Sequence, residues 1–185
     1  MRQIISCLNI LIKYKLDLYE KNGNTELLCL ISAIKIIKTE LRPSLPPNIL
    51  SYNVYQLYLL TLFNSTDIYY KMIEFKIHEE FMNLYPTIIQ KNIEIENKLK
   101  DIESNEKKNT IIINNNNEEK KQFKLDLENY INVEIEILKI LGRIMSSEDG
   151  ILTKILIDSG ISKFLNFVLQ SDDSKIKKKW SPLYI

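Results

Sequence analysis

Hydrophobic residues recur along most of the chain at intervals of three and four, the spacing of one face of an α-helix. A first helix is predicted over 3–20, because lysines follow its apolar run too soon for a signal peptide. Prolines at 43, 46 and 47 end the second helix, and Pro86 is expected to interrupt a later one. The remaining predicted helices span 48–63, 67–75, 77–85, 88–102, 150–158 and 161–169, and 123–146 form one or two more.

The stretch 103–121 breaks this pattern. It is polar and charged, and it contains four consecutive asparagines at 114–117. Such a segment buries too little apolar surface to offset the entropy cost of ordering its backbone. We predict a disordered, Asn-rich, low-complexity insertion, in which isoleucines 111–113 form either a short apolar island or a binding segment.

Two stretches of the chain have the same order of predicted helices, breaks and turns. Each has an apolar helix, a polar break, a short helix ending in an acid, a turn and another apolar helix. Equivalent residues such as Ile77 and Ile161 lie 84 residues apart, which is twice 42 and fits the period of roughly 40–47 residues of helical solenoids. The residues between them, 88–130, are either an eroded repeat or a loop expanded by about one period. A helical bundle with accidental repetition is the alternative fold.

Composition narrows the class of protein. With 185 residues, 45% of them hydrophobic, we expect a single all-α domain over 1–185. The net charge of +1 disfavours nucleic acid as a partner, and no apolar run is long enough for a membrane span. Cys7 and Cys29 stand apart without a histidine cluster, so neither a disulfide framework nor a metal site is expected.

Several sequence motifs of the chain resemble those of a known family. The run 149–161, with Asp149-Gly150 and an acid-Ser-Gly turn, resembles an armadillo repeat. Residues 141–145 look like the Gly-Asn-Ile stretch of an importin-α repeat, and 176–180 are similar to the opening of the next one. The resemblance covers 25–85 and 130–185, and it implies a right-handed armadillo-like solenoid from a divergent, truncated member of the importin-α family.

What the resemblance implies is a protein-binding adaptor in the cytoplasm and nucleus. Such an adaptor holds a basic nuclear-localisation peptide in its concave groove, on Trp and Asn residues four apart on the third helix of each repeat. The matching positions here are Cys29 and Ala33, Tyr55 and Leu59, Lys139 and Arg143, and Trp180 and Tyr184.

No pair keeps both residues of the family pattern, and Lys139 with Arg143 would repel a basic peptide. Importin-β is not an expected partner, because no basic tail precedes the first helix. The alternative function is a degenerate armadillo scaffold that serves another protein–protein interaction.

Other candidate chemistry is sparse. His78 beside Glu79 and Glu80 could act as a general base, but no nucleophile is implied near it. The tyrosines between 52 and 70 form either a binding platform or half-buried packing, and the lysines at 175 and 177–179 either attract an acidic partner or are merely solvated. We therefore expect neither catalysis nor a cofactor, and keep an unrelated helical enzyme as a third hypothesis.

Overall fold

The computed structural model describes residues 24–108 and 113–171, with side chains over 30–104 and 117–171. All regular structure in these ranges is α-helical, which confirms the all-α prediction. The helix expected over 3–20 lies outside the described residues. The described helices are α1 (Asn24–Thr39), α2 (Pro47–Thr61), α3 (Thr66–Glu74), α4 (Ile77–Lys108), α5 (Ile113–Met145), α6 (Gly150–Asp158) and α7 (Ile161–Gln170).

The helix boundaries repeat along the chain. The short helices α3 and α6 begin at 66 and 150 and end at 74 and 158, so both bounds differ by 84 residues. The same offset relates the ends of α2 and α5, at 61 and 145, and the starts of α4 and α7, at 77 and 161. We call α2, α3 and α4 the first unit, and α5, α6 and α7 the second unit.

The turn between the last two helices of each unit also repeats. Gly160 has a φ of 92°, and Lys76, which is 84 residues earlier, has a φ of 60°. A left-handed residue at this place redirects the chain between two helices, and glycine adopts it without a steric penalty from Cβ. The second unit therefore has a glycine, Gly160, at the left-handed position of this turn. In the first unit a lysine, Lys76, takes the same left-handed conformation.

Counterpart helices of the two units lie side by side. Helix α2 contacts α5, and α3 contacts α6. Between α4 and α7, the rings of Tyr85 and Phe164 meet edge to face, with their centroids 5.1 Å apart. The Tyr70 hydroxyl of α3 donates to the Asp149 carboxylate, at the N-terminus of α6, over 2.8 Å. The units are therefore direct neighbours, with no eroded repeat packed between them.

Helices α2 and α5 run in the same direction. Lys91 of α4 donates both to the Pro43 carbonyl, just before α2, and to the Tyr130 hydroxyl of α5. At the other end of α2, Tyr58 lies beside Arg143. The order along both helices is thus the same, as expected when one structural unit is placed next to a copy of itself.

Helices α4 and α5 form a long antiparallel hairpin. The Lys98 ammonium lies 5.4 Å from the Phe123 ring centroid, and Lys120 lies 3.6 Å from a Glu103 carboxylate oxygen. Nearer the core, the buried Asn92 amide donates to the Glu134 carboxylate.

This hairpin differs from the disordered insertion expected over 103–121. Residues 103–108 and 113–121 are helical, while 109–112 lie outside the described part of the chain. Each half extends a helix that is already packed, so it adds residues without the unfavourable nucleation of a new helix. The amino-acid composition of 103–121 alone does not show that the segment extends two packed helices.

Pro86 does not interrupt its helix, contrary to the sequence expectation. It lies inside the continuous α4, and its side chain is exposed. A proline within a helix removes the hydrogen bond to the carbonyl four residues earlier, here that of Met82. The neighbours Tyr85 and Ile88 are both fully buried, so packing holds the helix on each side of the missing bond.

The core repeats with the same offset. Four pairs of equivalent residues have almost no exposed surface: Leu57 and Leu141, Leu60 and Ile144, Met72 and Leu156, and Ile77 and Ile161. The match fails on the outer face of the second unit. Tyr85 is buried against α7, whereas its counterpart Leu169 is 72% exposed. Tyr85 lies at the junction of the two units, whereas no helix of the described residues packs over Leu169.

Candidate protein-binding surface

The structure brings together four of the eight predicted groove positions. Tyr55 and Leu59 lie on α2, and Lys139 and Arg143 lie on the neighbouring α5. Ala33 belongs to the buried side of α1 and lines no exposed surface. Cys29 belongs to α1, but its side chain is not among those described. Trp180 and Tyr184 lie outside the described residues altogether.

The exposed side of α2 carries an aromatic and aliphatic stripe. Tyr55, Leu59 and Leu62 follow at intervals of four and three, and therefore share one helix face. Tyr55 is 44% and Leu62 39% exposed, while Leu59 is half-buried. Upstream on the same face, burial raises the pKa of Tyr52. A stripe of this kind is available to a partner without any rearrangement of the core.

Tyr58 joins this stripe to two cations of α5. The Lys139 ammonium lies 5.0 Å and the Arg143 guanidinium carbon 5.6 Å from its ring centroid. The centroid of the Tyr55 ring lies 6.1 Å from that of Tyr58, and the two rings are tilted by 36°. Lysine and arginine can share one ring because they are four residues apart on α5. We call Tyr55, Tyr58, Leu59, Lys139 and Arg143 the α2–α5 face.

Sequence reasoning included Tyr58 in a tyrosine-rich stretch but did not select it as a contact residue. Nothing in α2 alone distinguishes it from the tyrosines beside it, since its role depends on two cations that follow some 80 residues later. The 84-residue offset was the signal that could have identified Tyr58. It makes Gly142 the counterpart of Tyr58, and Gly142 lies between Lys139 and Arg143 in the sequence and has no side chain.

The two cations of this face differ in whether a carboxylate neutralises their charge. Lys139 pairs with Glu136 on the same helix at 3.0 Å. Within the described ranges, Arg143 has no carboxylate partner. Its charge acts on Tyr69, whose pKa is raised by burial and lowered to a lesser extent by Arg143. The α2–α5 face therefore has an unbalanced positive charge at Arg143.

A second concave region lies between α4 and the α6–α7 turn. It is an open cleft of about 650 Å³, and its walls are partly apolar and partly charged. Met82 and Pro86, the two residues at the missing hydrogen bond of α4, both line this cleft. Its lining residues include Glu79, Met82, Pro86, Asp158, Lys163 and Phe167.

His78 lies at the edge of this cleft, buried beneath the α6–α7 turn. Its Nε2 is 3.1 Å from the Ser159 hydroxyl, which itself donates to the Ile155 carbonyl over 2.8 Å. With the hydroxyl proton donated to the Ile155 carbonyl, the contact with His78 requires the tautomer that carries its proton on Nε2. An activated serine nucleophile requires the reverse, a histidine that accepts the hydroxyl proton. This pair connects α4 to the second unit and does not have the geometry of a catalytic dyad.

No group of three metal-binding side chains lies together among the residues whose side chains are described. In the same ranges, none of the helices combines the length and the apolar character needed to cross a bilayer. No protein-family model matches the chain, and no curated protein or solved structure shows a significant similarity to it. The resemblance to importin-α thus stays a prediction from the sequence.

Proposed function

We propose that this chain is a protein-interaction module of the stacked helical-repeat type, similar to armadillo proteins, and that it holds a partner segment on the α2–α5 face. The observation that carries the proposal is the repetition of a three-helix unit, with each helix beside its counterpart. Units that stack in this way bury their apolar sides against each other and present a row of equivalent helices to a partner.

The side chains on that row support binding. Tyrosine and arginine are enriched at the energetic centres of protein interfaces, because they combine large contact areas with directed polar groups. The α2–α5 face has two tyrosines, an arginine and the half-buried Leu59 at the junction of the two units. The cleft beside His78 also has aromatic and cationic side chains, but Lys163, Phe164 and Phe167 all belong to α7 and lie beside the acids Glu79 and Asp158 that line the same cleft.

Binding of an import signal is the competing proposal. It follows from the family resemblance and requires a lysine-rich peptide to lie along the same helices. The cations Lys139 and Arg143 oppose it, since like charges at a binding surface raise the free energy of the complex. We therefore propose a protein-interaction module whose partner is not a basic import signal.

A peptide-display selection on the purified, folded chain tests this proposal. We expect related sequences to be enriched, and to lose binding when Tyr55→Ala and Tyr58→Ala are combined. Truncation of interface aromatics commonly costs about 2 kcal/mol or more, roughly a thirtyfold loss in affinity.

The matched control removes an aromatic ring from the cleft, which shares no residue with the α2–α5 face. Phe167→Ala, in the cleft, should leave the selected peptides bound. The proposal fails if no sequences are enriched, or if Phe167→Ala abolishes binding while the two tyrosine replacements do not. A lysine-rich import peptide that binds at micromolar concentration would instead favour the import adaptor.

A further inference from the structure

We infer that the partner segment is acidic: the α2–α5 face takes a peptide with an apolar anchor and, about three residues away, a carboxylate. This inference rests on the proposed function, and it adds the chemistry of the partner. Its basis is the charge of Arg143, which no carboxylate of the described residues neutralises.

Arg143 is already placed for a carboxylate. Its guanidinium carbon lies 5.6 Å from the Tyr58 ring centroid, and the group also hydrogen-bonds the Tyr69 side chain. These two contacts restrain the guanidinium, and because the group has five N–H donors, others remain for a ligand. A guanidinium held in this way can donate to both oxygens of a carboxylate in parallel, and little side-chain entropy is then lost on binding. Lys139 beside it shares its charge with Glu136 and adds a weaker attraction.

The apolar anchor follows from the exposed stripe of α2. Tyr55 and Leu59 lie one helical turn apart, and Tyr55 is the more exposed of the two side chains. Packed helices are about 8–10 Å apart, and an extended peptide advances about 3.3 Å per residue. A peptide that crosses from the α2 stripe to Arg143 therefore places its acid about three residues from its apolar side chain.

Charge also decides against a nucleic acid as the occupant. Tyrosines next to cations can stack and pair with a single strand. A binder of that class needs many phosphate contacts, however, and this chain has a net charge of only +1, with 25 basic and 24 acidic residues. One unbalanced arginine suits one or two carboxylates of a peptide.

The test compares three fluorescein-labelled peptides on the full chain by fluorescence anisotropy. All have one phenylalanine, followed after about three residues by a pair of glutamates, glutamines or lysines. We expect the glutamate peptide to bind roughly tenfold more tightly than the glutamine peptide, and the lysine peptide more weakly than both.

Two variants locate the effect. Arg143→Gln should remove most of the preference for glutamate over glutamine, whereas Lys154→Gln, an exposed lysine on α6, should retain it. Arg143→Glu should reverse the order, so that the lysine peptide binds best. Circular dichroism melts of each variant show whether it is folded.

Salt dependence of the unaltered chain gives a second measurement that needs no variant. Raising NaCl from about 50 mM to about 500 mM should weaken the glutamate peptide and leave the glutamine peptide nearly unchanged.

The outcomes separate this inference from the proposed function. If display selects neutral or basic peptides, or if glutamate and glutamine peptides bind alike, the inference is overturned while the interaction module stands. Tighter binding of a single-stranded oligonucleotide also overturns it. If no peptide of any charge binds, the proposed function falls together with the inference.

Discussion

At the scale of single residues, six buried polar or charged side chains among the described residues distinguish the interior from an apolar core. Two of them, Gln56 of α2 and His78 of α4, are 1% and 3% exposed. Buried polar groups lose their hydration, and that loss is offset only where a hydrogen bond replaces it. Gln56 and His78 each have at least one buried atom without a hydrogen-bond partner among the described residues.

Gln56 is a site where a substitution should stabilise the fold. It is 1% exposed, and neither its amide oxygen nor its amide nitrogen has a partner in the described part of the chain. Gln56→Met keeps the length of the side chain and removes both polar atoms. We expect the free energy of unfolding to rise by about 1–3 kcal/mol in urea denaturation.

The control for this substitution is Gln90→Met on the exposed side of α4. There the amide donates to Glu94 at the surface, and its loss should change stability by less than about 0.5 kcal/mol. A decrease in stability for Gln56→Met would contradict the interpretation, because it would mean that the amide makes a favourable buried contact.

His78 should make stability depend on pH. Burial lowers its pKa in the folded state, an effect that Lys76 reinforces and Glu79 opposes. In the unfolded chain the imidazole takes up a proton near pH 6.5, while the folded state resists protonation until a lower pH. Unfolding is therefore favoured as pH falls from about 6.5 towards the lowered pKa.

We expect the urea midpoint to decrease between about pH 7.5 and pH 5.5, and His78→Gln to flatten that decrease. Glutamine retains an N–H that can donate to Ser159 but does not titrate. The chain has only one histidine, so no other imidazole contributes in this range. An equal slope for the two proteins would show that His78 is protonated as easily when folded as when unfolded.

At the scale of elements, the turns before α4 and α7 are a natural matched pair. Lys76 and Gly160 occupy equivalent positions with positive φ, but only the lysine carries a Cβ there. A left-handed conformation costs a residue with a Cβ roughly 1–2 kcal/mol, and part of this is regained through the smaller entropy of its unfolded chain. The first unit thus retains a local strain that the second unit avoids.

Exchanging these residues should have opposite effects. Lys76→Gly is expected to raise the free energy of unfolding by about 0.5–1 kcal/mol, and Gly160→Ala to lower it by about 1 kcal/mol. No atom lies within 4 Å of a Cβ built on Gly160, so the expected loss is conformational and not a clash. Equilibrium denaturation measures both. Changes of the same sign in the two variants would show that the turns are not equivalent.

At the scale of the whole molecule, the sequence predicts the repeat better than it predicts the connections. The offset between Ile77 and Ile161 is visible in the chain, because buried positions and capping residues recur with it. Pro86 and the stretch 103–121 were judged from local composition, which contains no information about a helix packed alongside. The cluster around Tyr58 needed both kinds of information, since its tyrosine and its cations belong to different units.

The outer part of the long hairpin consists of the end of α4 and the start of α5, and the contacts between the two units do not require it. Lys98 and Phe123 already face each other across the antiparallel pair. The buried residues Ile95 and Leu127 precede this point on the core side. Beyond it, the described side chains are half-buried or exposed. The outer arms thus contribute little apolar burial to the stacked helices.

Replacing residues 99–122 with a short Gly-Ser loop should therefore leave the stacked units intact. A loop of about four residues spans the roughly 8–10 Å between packed helices. We expect a single cooperative thermal transition, with a midpoint within a few degrees of that of the full chain, and undiminished binding of any peptide selected on the α2–α5 face. A matched deletion on the core side, removing 92–98 and 123–129 as well, takes away Asn92, Ile95 and Leu127 and should broaden or abolish the transition. If the shorter deletion alone abolished the transition, the outer hairpin would be part of the folding core, and the two units would not be sufficient to stabilise each other.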